Sequence, residues 1–463
     1  MGKGMGPPLV IPLLFWLTAL TGAGTVPADD EGRARIEARR EAETERLIGK
    51  GYSTTLGYSY FPKAKDEFIL RPFLAPGAEG DKTHFRIWNR CGAGRVHIAV
   101  RDAGGRVVWK AEGRDFARKK ALKLKPGRYT LELDLSGASD GALLVAVKGT
   151  LVWVCGHRPG VEEVRPGPGD AFAWRYLLYV PPGTARRRLL VAPNNTGFTS
   201  DDGEVHLERA RCAMRQAAAM GDRLGCAVLV PVFPRPASLW NSYTHALDRD
   251  TLMESTPALN RLDLQLIAMI DDARGRLGER GLEIGPRVWL AGFSASGMFA
   301  NRFTLLHPDR VAAAACGSPG GWPIAPAEEA GGESLPYPIG VADVEALTGT
   351  PADLETFKAV PQFLFMGDQD TNDSVVFRDG YEAADEALIF RLFGRTPVQR
   401  WPAARRLYGE AGCNARFVLY PGVGHQVTEA MTDAIVEFFL SEGEWAGDGG
   451  GKRPMGGHAN GAR

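Results

Sequence analysis

The chain has 463 residues, of which 44% are apolar and 24% are charged. This length is too great for one ordinary domain, so we expect two folded units, each able to bury an apolar core. Lys and Arg together number 55, as do Asp and Glu, and the formal net charge is therefore zero. This balance indicates neither a nucleic acid nor an anionic membrane as a partner.

Residues 1–28 have the three-part pattern of an export signal peptide. Lys3 precedes the apolar run LVIPLLFWLTAL, and small residues follow the run. The run is too short to span a bilayer as a helix, which favours a cleaved signal over a permanent anchor. A buried first helix is the alternative, and the Gly and Pro residues at both ends argue against it. We therefore predict a secreted or periplasmic protein with no stable membrane insertion after signal cleavage.

The next segments predict a charged linker and a β domain. Residues 29–50 are charged nearly throughout, which predicts an exposed linker or helix. Within residues 51–155, short alternating runs such as THFRIWN, RVHIAVRD and GRYTLELDL are separated by Gly and Pro turns. This spacing predicts a small all-β sandwich-like domain. The sequence leaves open whether this domain binds polymer or surface material or only packs against the rest of the chain.

A Pro/Gly-rich joint at residues 156–170 predicts a domain boundary. Over residues 160–442, apolar runs such as RLLVAPN, CAVLVPVF and RVWLAGF alternate with amphipathic helical patterns. This alternation predicts a mostly parallel sheet with helices on both faces. Residues 318–360, rich in Pro and Gly, predict an insertion over one end of the sheet. The Gly-rich residues 443–463 predict a disordered tail.

Six cysteines are scattered along the chain, without a C-x-x-C pair or a zinc-ligand spacing. Disulfides would fit an oxidising compartment, but the sequence does not determine their pairing.

The run RVWLAGFSASGMFANRF places two serines at the turn between a predicted strand and a predicted helix. In a strand–serine–helix turn, the residues two before and two after the nucleophile must be small because strand and helix lie close together. Gly292 and Ser296 flank Ser294 at these positions, whereas Met298 would crowd Ser296. The size rule therefore selects Ser294 as the candidate nucleophile.

Candidates for the acid and the base follow later strands, in the order that this kind of site requires. The segment MGDQDTNDSV offers Asp368, Asp370 and Asp373, and PGVGHQVTE offers His425. Asp370 has the usual placement for the acid, Asp368 is the alternative, and Asp373 is expected in a solvated turn. These residues predict a Ser294–Asp370–His425 catalytic triad.

An oxyanion hole needs two backbone N–H donors. We expect the residue after the nucleophile, Ala295, to supply one. We expect the loop VAPNNTGFTSDDG to supply the other, from Asn195 or Thr196.

Other loop residues have weaker indications. Trp240, Tyr243 and Trp322 are candidate pocket walls, although aromatic residues in loops more often only pack. We expect His307 to be structural, and also His245, although the long loop that carries His245 could border the site.

From about residue 170 to 440 the chain resembles the α/β-hydrolase superfamily. The segment GFSASGMFANRFTLLHPDRVAAAACGSPGGW is similar to the elbow region of secreted esterases of the polyhydroxybutyrate-depolymerase and feruloyl-esterase type. The resemblance implies the α/β-hydrolase fold and the triad of Ser294, Asp370 and His425. The chain departs from the family at Ser296, where Gly is usual, and at Asn194 and Asn195, where esterases often carry His-Gly.

The resemblance implies hydrolysis of a small-molecule or polymeric carboxylic ester through an acyl-enzyme, with no metal or organic cofactor. Two alternatives remain open at this point. One is a serine peptidase of the same fold, and the other is an exported binding or surface protein whose hydrolase domain is inactive.

Overall fold

The computed structural model describes residues 30–50, 52–61, 68–75, 82–149, 152–154, 158–195, 199–377 and 380–445. The described residues divide into two compact units. One comprises those up to residue 157 together with 199–212, and the other comprises 158–195 together with those from 213 onward. The predicted signal peptide lies outside the described residues, as do residues 446–463 of the predicted tail.

The first unit contains a helix and two antiparallel sheets. In chain order its elements are α1 (Asp30–Ile48), β1 (Ser53–Phe61), β2 (Phe68–Ala75), β3 (Thr83–Arg90), β4 (Val96–Asp102), β5 (Val107–Gly113), β6 (Phe116–Leu122), β7 (Gly127–Asp134), β8 (Gly141–Lys148) and β9 (Val152–Trp153). One sheet has the order β1-β8-β3-β6 and the other β5-β4-β7-β2-β9.

The two sheets of the first unit share one apolar core. Alternate residues of β3, Phe85 and Ile87, are fully buried in it together with Phe73 of β2. The rings of Phe73 and Phe85, which belong to different sheets, lie 6.2 Å apart. The period-2 pattern of the sequence therefore has its usual cause, since every second side chain of a strand faces the core.

Helix α1 occupies the segment predicted as a charged linker or helix. It packs against the four-stranded sheet through Leu47, which is 2% exposed and belongs to one apolar cluster with Trp88 and Leu144. Glu43 also lies 3.5 Å from the guanidinium of Arg86 on β3. A narrow apolar stripe is thus enough to attach a mostly polar helix to the sheet.

The second unit is built on an eight-stranded mixed sheet with the order β10-β11-β13-β12-β14-β15-β18-β19. The strands of this sheet are β10 (Val161–Val164), β11 (Tyr176–Tyr179), β12 (Leu189–Val191), β13 (Ala227–Pro231), β14 (Val288–Phe293), β15 (Val311–Gly317), β18 (Gln362–Gly367) and β19 (Ala415–Tyr420). Strands β16 (Glu329–Ala330) and β17 (Glu333–Ser334) form a separate two-stranded hairpin. Strand β11 is antiparallel to both of its neighbours, and the five pairings from β13 through β19 are parallel. The predicted mostly parallel sheet is confirmed.

Strand β10 was not predicted from the sequence. Residues 161–164 fall in the Pro/Gly-rich joint that the sequence assigns to a domain boundary, and they pair with β11, from Val161 opposite Tyr179 to Val164 opposite Tyr176. The strand has only four residues, and two of them are glutamates, so neither its length nor its pattern distinguishes it from a loop.

The helices that follow are α2 (Gly203–Leu224), α3 (Arg249–Met253), α4 (Leu262–Glu279), α5 (Ala295–Leu306), α6 (Val344–Thr348), α7 (Leu354–Ala359), α8 (Ser374–Phe377), α9 (Ala383–Leu392), α10 (Pro397–Glu410) and α11 (Glu429–Trp445). Helix α11 continues past residue 442, where the tail is predicted to begin. The predicted insertion holds β16, β17, α6 and α7, and its Ile324, Tyr337 and Val344 are buried in the same apolar core as the sheet.

No helix among the described residues is both long enough and apolar enough to cross a membrane. Cys91, Cys226, Cys316 and Cys413 carry free thiols, and Cys212 is disulfide-bonded.

Candidate active site

Ser294 stands at a sharp turn between β14 and α5. Its backbone has φ 61° and ψ −127°, a conformation that residues other than glycine adopt at a cost of about 1–3 kcal/mol. The Ser294 N–H donates to the Gly317 carbonyl at 2.9 Å, and the Ser294 carbonyl accepts from the Met298 N–H at 2.9 Å. The turn is therefore held from the neighbouring strand and from the first turn of the helix.

The size rule at this turn has a direct structural cause. A Cβ at Gly292 would lie 2.1 Å from the Ser296 carbonyl oxygen, and one at Gly297 would lie 2.4 Å from the Gly317 carbonyl oxygen. Ser296 is tolerated because its side chain turns back: the hydroxyl donates to the Phe293 carbonyl at 2.8 Å and accepts from the Phe293 N–H at 3.0 Å. Ser296 thus closes the turn, while Ser294 remains partly exposed.

Ser294, His425 and Asp370 come together at the carboxyl ends of β14, β19 and β18. His425 Nε2 lies 3.0 Å from Ser294 Oγ, and His425 Nδ1 lies 2.8 Å from Asp370 Oδ2 and 3.1 Å from Oδ1. The imidazole also lies against Phe293, with ring centroids 4.8 Å apart. The three side chains therefore form a continuous hydrogen-bonded chain from a buried carboxylate to a serine hydroxyl.

Backbone contacts between two loops bring the acid to the histidine. The Gln369 N–H donates to the Val423 carbonyl at 3.0 Å, joining the loop after β18 to the loop after β19. A Cβ at Gly367 would lie 2.0 Å from the same carbonyl oxygen, so only glycine permits this approach. Asp370 is 2% exposed, whereas Asp368 is exposed and accepts from the Gly422 N–H at 2.7 Å. The structure thus places Asp370, and not Asp368, against the histidine.

Asp373 is not the solvated turn residue that the sequence predicts. It is 5% exposed, and its carboxylate binds the guanidinium of Arg400, which is fully buried. Arg400 Nη1 donates to Asp373 Oδ1 and to the Gly321 carbonyl, both at 3.0 Å, and Nε donates to the Gly394 carbonyl at 3.1 Å. Arg400, from α10, therefore connects the loop that carries Asp370 to the loop after β15.

Two of the three predicted oxyanion donors lie in the described part of the chain. The Ala295 N–H is the first amide of α5, one of those that a helix leaves without an intrahelical acceptor. Asn195 follows β12, which pairs with β14 with Val191 opposite Leu290. Asn195 and Ser294 each lie four residues beyond this pair, so both follow the carboxyl ends of neighbouring parallel strands, at the same edge of the sheet. Thr196 lies outside the described residues.

The side chain of Asn194 holds the loop that carries Asn195. Its Nδ2 donates to the Phe233 carbonyl at 2.8 Å, and its Oδ1 accepts from the Phe233 N–H at 3.1 Å. The amide thus extends the pairing of β12 with β13 by a side chain.

The three candidate pocket residues differ in exposure. Trp240 is 58% exposed, while Trp322 is 1% exposed, donates from Nε1 to the Ile339 carbonyl at 2.9 Å and stacks on Phe393 at 4.1 Å. Tyr243 is buried, and its ring lies 3.5 Å from the guanidinium carbon of Arg235. The sequence does not identify Arg235 as a buried partner of Tyr243, because a cation in a Pro-rich loop is ordinarily interpreted as solvated.

Tyr243 and Trp322 belong to one apolar cluster with Ala295 and Met298, the residues that follow the candidate nucleophile. The same cluster includes Tyr381, whose hydroxyl donates to the Trp322 carbonyl at 3.1 Å. The first turn of α5, which holds the candidate oxyanion amide, is therefore supported by packed aromatic residues.

The two histidines expected to be structural are held inside the fold. His245 is 1% exposed, with Nε2 2.7 Å from the Phe233 carbonyl oxygen. His307 Nε2 lies 2.8 Å from Asp263 Oδ2, and Arg261 donates to both oxygens of the same carboxylate at 2.9 and 2.7 Å. Burial would raise the pKa of Asp263, but the hydrogen bonds from His307 and Arg261 outweigh it and lower that pKa to about 2.

Asp248, the N-cap residue of α3, is buried, and among the described residues no charged side chain donates a hydrogen bond to it. Burial raises its pKa to about 6, although Thr251 and the Tyr243 N–H donate to it and Arg302 lies nearby. In the described residues no group of three or more His, Cys, Asp and Glu side chains is arranged to hold a metal ion.

No protein-family model matches the chain, and no curated protein matches it. Among solved structures, poly(aspartic acid) hydrolase-1 from Sphingomonas sp. KT-1 is 19% identical with a TM-score of 0.42, and the match covers 62% of this chain and 98% of that one. The poly(3-hydroxybutyrate) depolymerase LpqC from Bordetella parapertussis is 17% identical with a TM-score of 0.39, covering 62% and 90%. A thermostable esterase is 15% identical with a TM-score of 0.36, covering 83% and 96%.

Similarities at these TM-scores and identities carry no inference about activity. The fold follows from the chain itself: a mostly parallel sheet with a serine on a strand-to-helix turn, followed in chain order by an aspartate and a histidine after later strands.

Proposed function

We propose that this chain, whose second unit has the α/β-hydrolase fold, is a secreted serine hydrolase that cleaves carboxylic esters through an acyl-enzyme. The geometry of Ser294, His425 and Asp370 carries the proposal, because a serine hydroxyl becomes a nucleophile only when a base can take its proton and a third group orients that base. The distance of 3.0 Å between His425 Nε2 and Ser294 Oγ supports the role of the histidine as the base. The distance of 2.8 Å between His425 Nδ1 and Asp370 Oδ2 supports the role of the aspartate in orienting it.

In the acylation step, Ser294 Oγ attacks the ester carbonyl carbon while His425 Nε2 takes the hydroxyl proton. The tetrahedral intermediate collapses as the imidazolium gives this proton to the leaving alkoxide, which departs as the alcohol. Asp370 accepts the Nδ1–H of His425, which fixes the tautomer that can act as a base and stabilises the imidazolium. Asp370 stays ionised throughout.

In the deacylation step, His425 takes a proton from water, and the resulting hydroxide attacks the acyl carbon. The imidazolium then returns a proton to Ser294 Oγ as the acid leaves. In both steps the negative oxygen is stabilised by the Ala295 N–H and by an N–H of Asn195 or Thr196. Each such donor stabilises the transition state by about 3–4 kcal/mol in comparable sites.

The deciding experiment is labelling by a fluorophosphonate, which reacts with activated serines. We expect the wild-type protein to be labelled and to hydrolyse short-chain p-nitrophenyl esters. Ser294→Ala should abolish the labelling and lower kcat/KM by at least about a thousandfold. Ser296→Ala is the matched control, because its hydroxyl binds the Phe293 backbone, and this variant should keep the label.

The absence of labelling in a folded wild-type protein would refute the hydrolase and favour an inactive domain. Efficient hydrolysis of aminoacyl p-nitroanilides would instead indicate a peptidase, because an enzyme specific for esters leaves these amide bonds intact. Release of the mature protein into the medium or periplasm, with residues 1–28 removed, would test the proposed secretion.

A further inference from the structure

The edge of the four-stranded sheet in the first unit carries an unusual concentration of positive charge. Strand β6 and the residues around it read RDFARKKALKLK from Arg114 to Lys125. We define the basic edge as the six cations of this segment: Arg114, Arg118, Lys119, Lys120, Lys123 and Lys125. All six are exposed, and one acidic residue, Asp115, lies among them. In a chain with a formal net charge of zero, this local excess is invisible in the composition.

Within the described residues, most cations of the basic edge have no acidic partner. Arg114 donates to the Gly92 carbonyl, and Asp115 lies 3.9 Å from Arg90. The other five cations, those from Arg118 to Lys125, form no ion pair with any part of the chain that the structure describes. Like charges at this density repel one another, and a bound polyanion would relieve the repulsion.

Three of the six cations lie on β6, a strand at the edge of its sheet. Within the described residues β6 pairs with β3 alone, from Phe116 opposite Asn89 to Leu122 opposite Thr83. Arg118 and Lys120 lie on one side of the strand, about 7 Å apart, and Lys119 lies on the other. Lys123 and Lys125 follow Leu122, the last paired residue. The basic edge is therefore a cluster of exposed cations on an edge strand and just beyond its end.

We propose that the basic edge binds an acidic polysaccharide, a linear polymer with repeated carboxylate or sulfate groups. The segment lacks a stacking platform for nucleic-acid bases, because its one aromatic residue, Phe116, packs on the core and is covered by the Arg118 guanidinium at 5.9 Å. It also lacks an exposed large apolar side chain for insertion into a membrane, since Leu122 is buried and Leu124 is half-buried against the core.

Edge strands often carry Lys and Arg only to prevent pairing with another chain. Arg118, Lys119 and Lys120 could serve that purpose. Lys123 and Lys125 could not, because they follow Leu122, where the pairing with β3 ends. Substitution of these two lysines therefore distinguishes binding of a polyanion from protection of the edge.

The test measures binding of the full-length protein to immobilised polygalacturonate between about 50 and about 200 mM salt. We expect affinity to fall steeply with salt. Arg118→Gln/Lys119→Gln/Lys120→Gln should weaken binding about tenfold or more at the lower salt and reduce the slope of log K against log salt by about two to three. Lys123→Gln/Lys125→Gln should weaken binding about threefold or more and leave aggregation unchanged. Hydrolysis of a soluble ester should be the same in both variants.

The matched control is Arg215→Gln/Arg287→Gln/Arg405→Gln, which removes three exposed cations elsewhere and changes the net charge equally. It should bind like the wild type, and an equal loss would show that only net charge matters and would overturn the proposal. If the triple variant at Arg118, Lys119 and Lys120 aggregates while Lys123→Gln/Lys125→Gln binds polygalacturonate like the wild type, the cations only protect the edge strand and the proposal is wrong. Tighter binding to phosphatidylglycerol vesicles or to a short DNA duplex than to polygalacturonate would also overturn it.

Discussion

Replacing Asp370 by Asn tests the candidate site most sharply, because the change removes a charge without changing the shape of the side chain. The carboxylate is 2% exposed, and both of its oxygens lie within 3.1 Å of His425 Nδ1. An Asn amide facing Nδ1 would donate a hydrogen bond and stabilise the tautomer with its proton on Nε2, which cannot accept the Ser294 proton. The variant would also lose the charge that stabilises the imidazolium.

The expected effect of Asp370→Asn is a fall in kcat of about 10³–10⁴, equivalent to about 4–5.5 kcal/mol of transition-state stabilisation. KM should change little, because Asp370 contacts the histidine and not the substrate. The assay is the initial rate of p-nitrophenyl ester hydrolysis against substrate concentration, with circular dichroism to show that the variant folds. The Asn372 N–H, which donates to Asp370 Oδ1 at 2.9 Å, can bind the Asn oxygen equally well.

Asp368→Asn is the matched control, two residues away on the same loop. Asp368 is exposed, and an Asn oxygen can still accept from the Gly422 N–H, so activity should stay within about twofold. If Asp368→Asn lost activity a thousandfold while Asp370→Asn kept it, the assignment of the acid would be wrong and the alternative from the sequence would be correct.

Three further predictions follow from the surroundings of the site. Gly292→Ala would place Cβ 2.1 Å from the Ser296 carbonyl oxygen, so activity should fall at least about a hundredfold. At Gly275 in α4 a Cβ meets no atom within 4 Å, so Gly275→Ala should instead stabilise the protein by up to about 1 kcal/mol in urea unfolding. Arg400→Met would leave buried Asp373 without its cation and should cost about 3–5 kcal/mol, and the double variant Arg400→Met/Asp373→Leu should recover part of this; equal loss in both would contradict a pairing role. Because the pKa of Asp263 is about 2 in the folded protein and has its ordinary value of 3.8 in the unfolded chain, the unfolded chain binds more protons between these values. Ionised Asp263 therefore contributes roughly 2 kcal/mol to the free energy of unfolding above pH about 4, and this contribution is lost as the pH falls toward 2. The free energies of unfolding of the wild type and Asp263→Asn should accordingly converge at low pH.

The sequence predicted most of the second unit because its strands are short apolar runs bounded by turn residues. The runs RLLVAPN, CAVLVPVF and RVWLAGF contain β12, β13 and β14 of the sheet. Strand β10 was missed because two of its four residues, Glu162 and Glu163, are charged and only partly exposed. An edge strand needs no continuous apolar run, so its pairing with β11 becomes evident only in the folded sheet.

Partnerships between distant residues limited the predictions for the site. The turn rule could select Ser294 because it depends on neighbours within a few residues. The partner of Asp373, in contrast, is Arg400, 27 residues further along the chain. The sequence shows that both residues are charged, but it does not show that both are buried, and an Asp in a polar loop is then interpreted as solvated.

The strained turn at Ser294 is stable because the helix that follows it has no freedom to relax. Every residue of α5 from Ala295 to Leu305 is buried. Asn301, in the middle of the helix, donates to the Tyr408 hydroxyl at 2.9 Å and accepts from the Ile324 N–H at 2.8 Å. Moving the helix to relieve the φ of 61° would break these bonds and open the core around them. The backbone strain of about 1–3 kcal/mol is smaller than this loss, so the burial of α5 fixes the position of the serine.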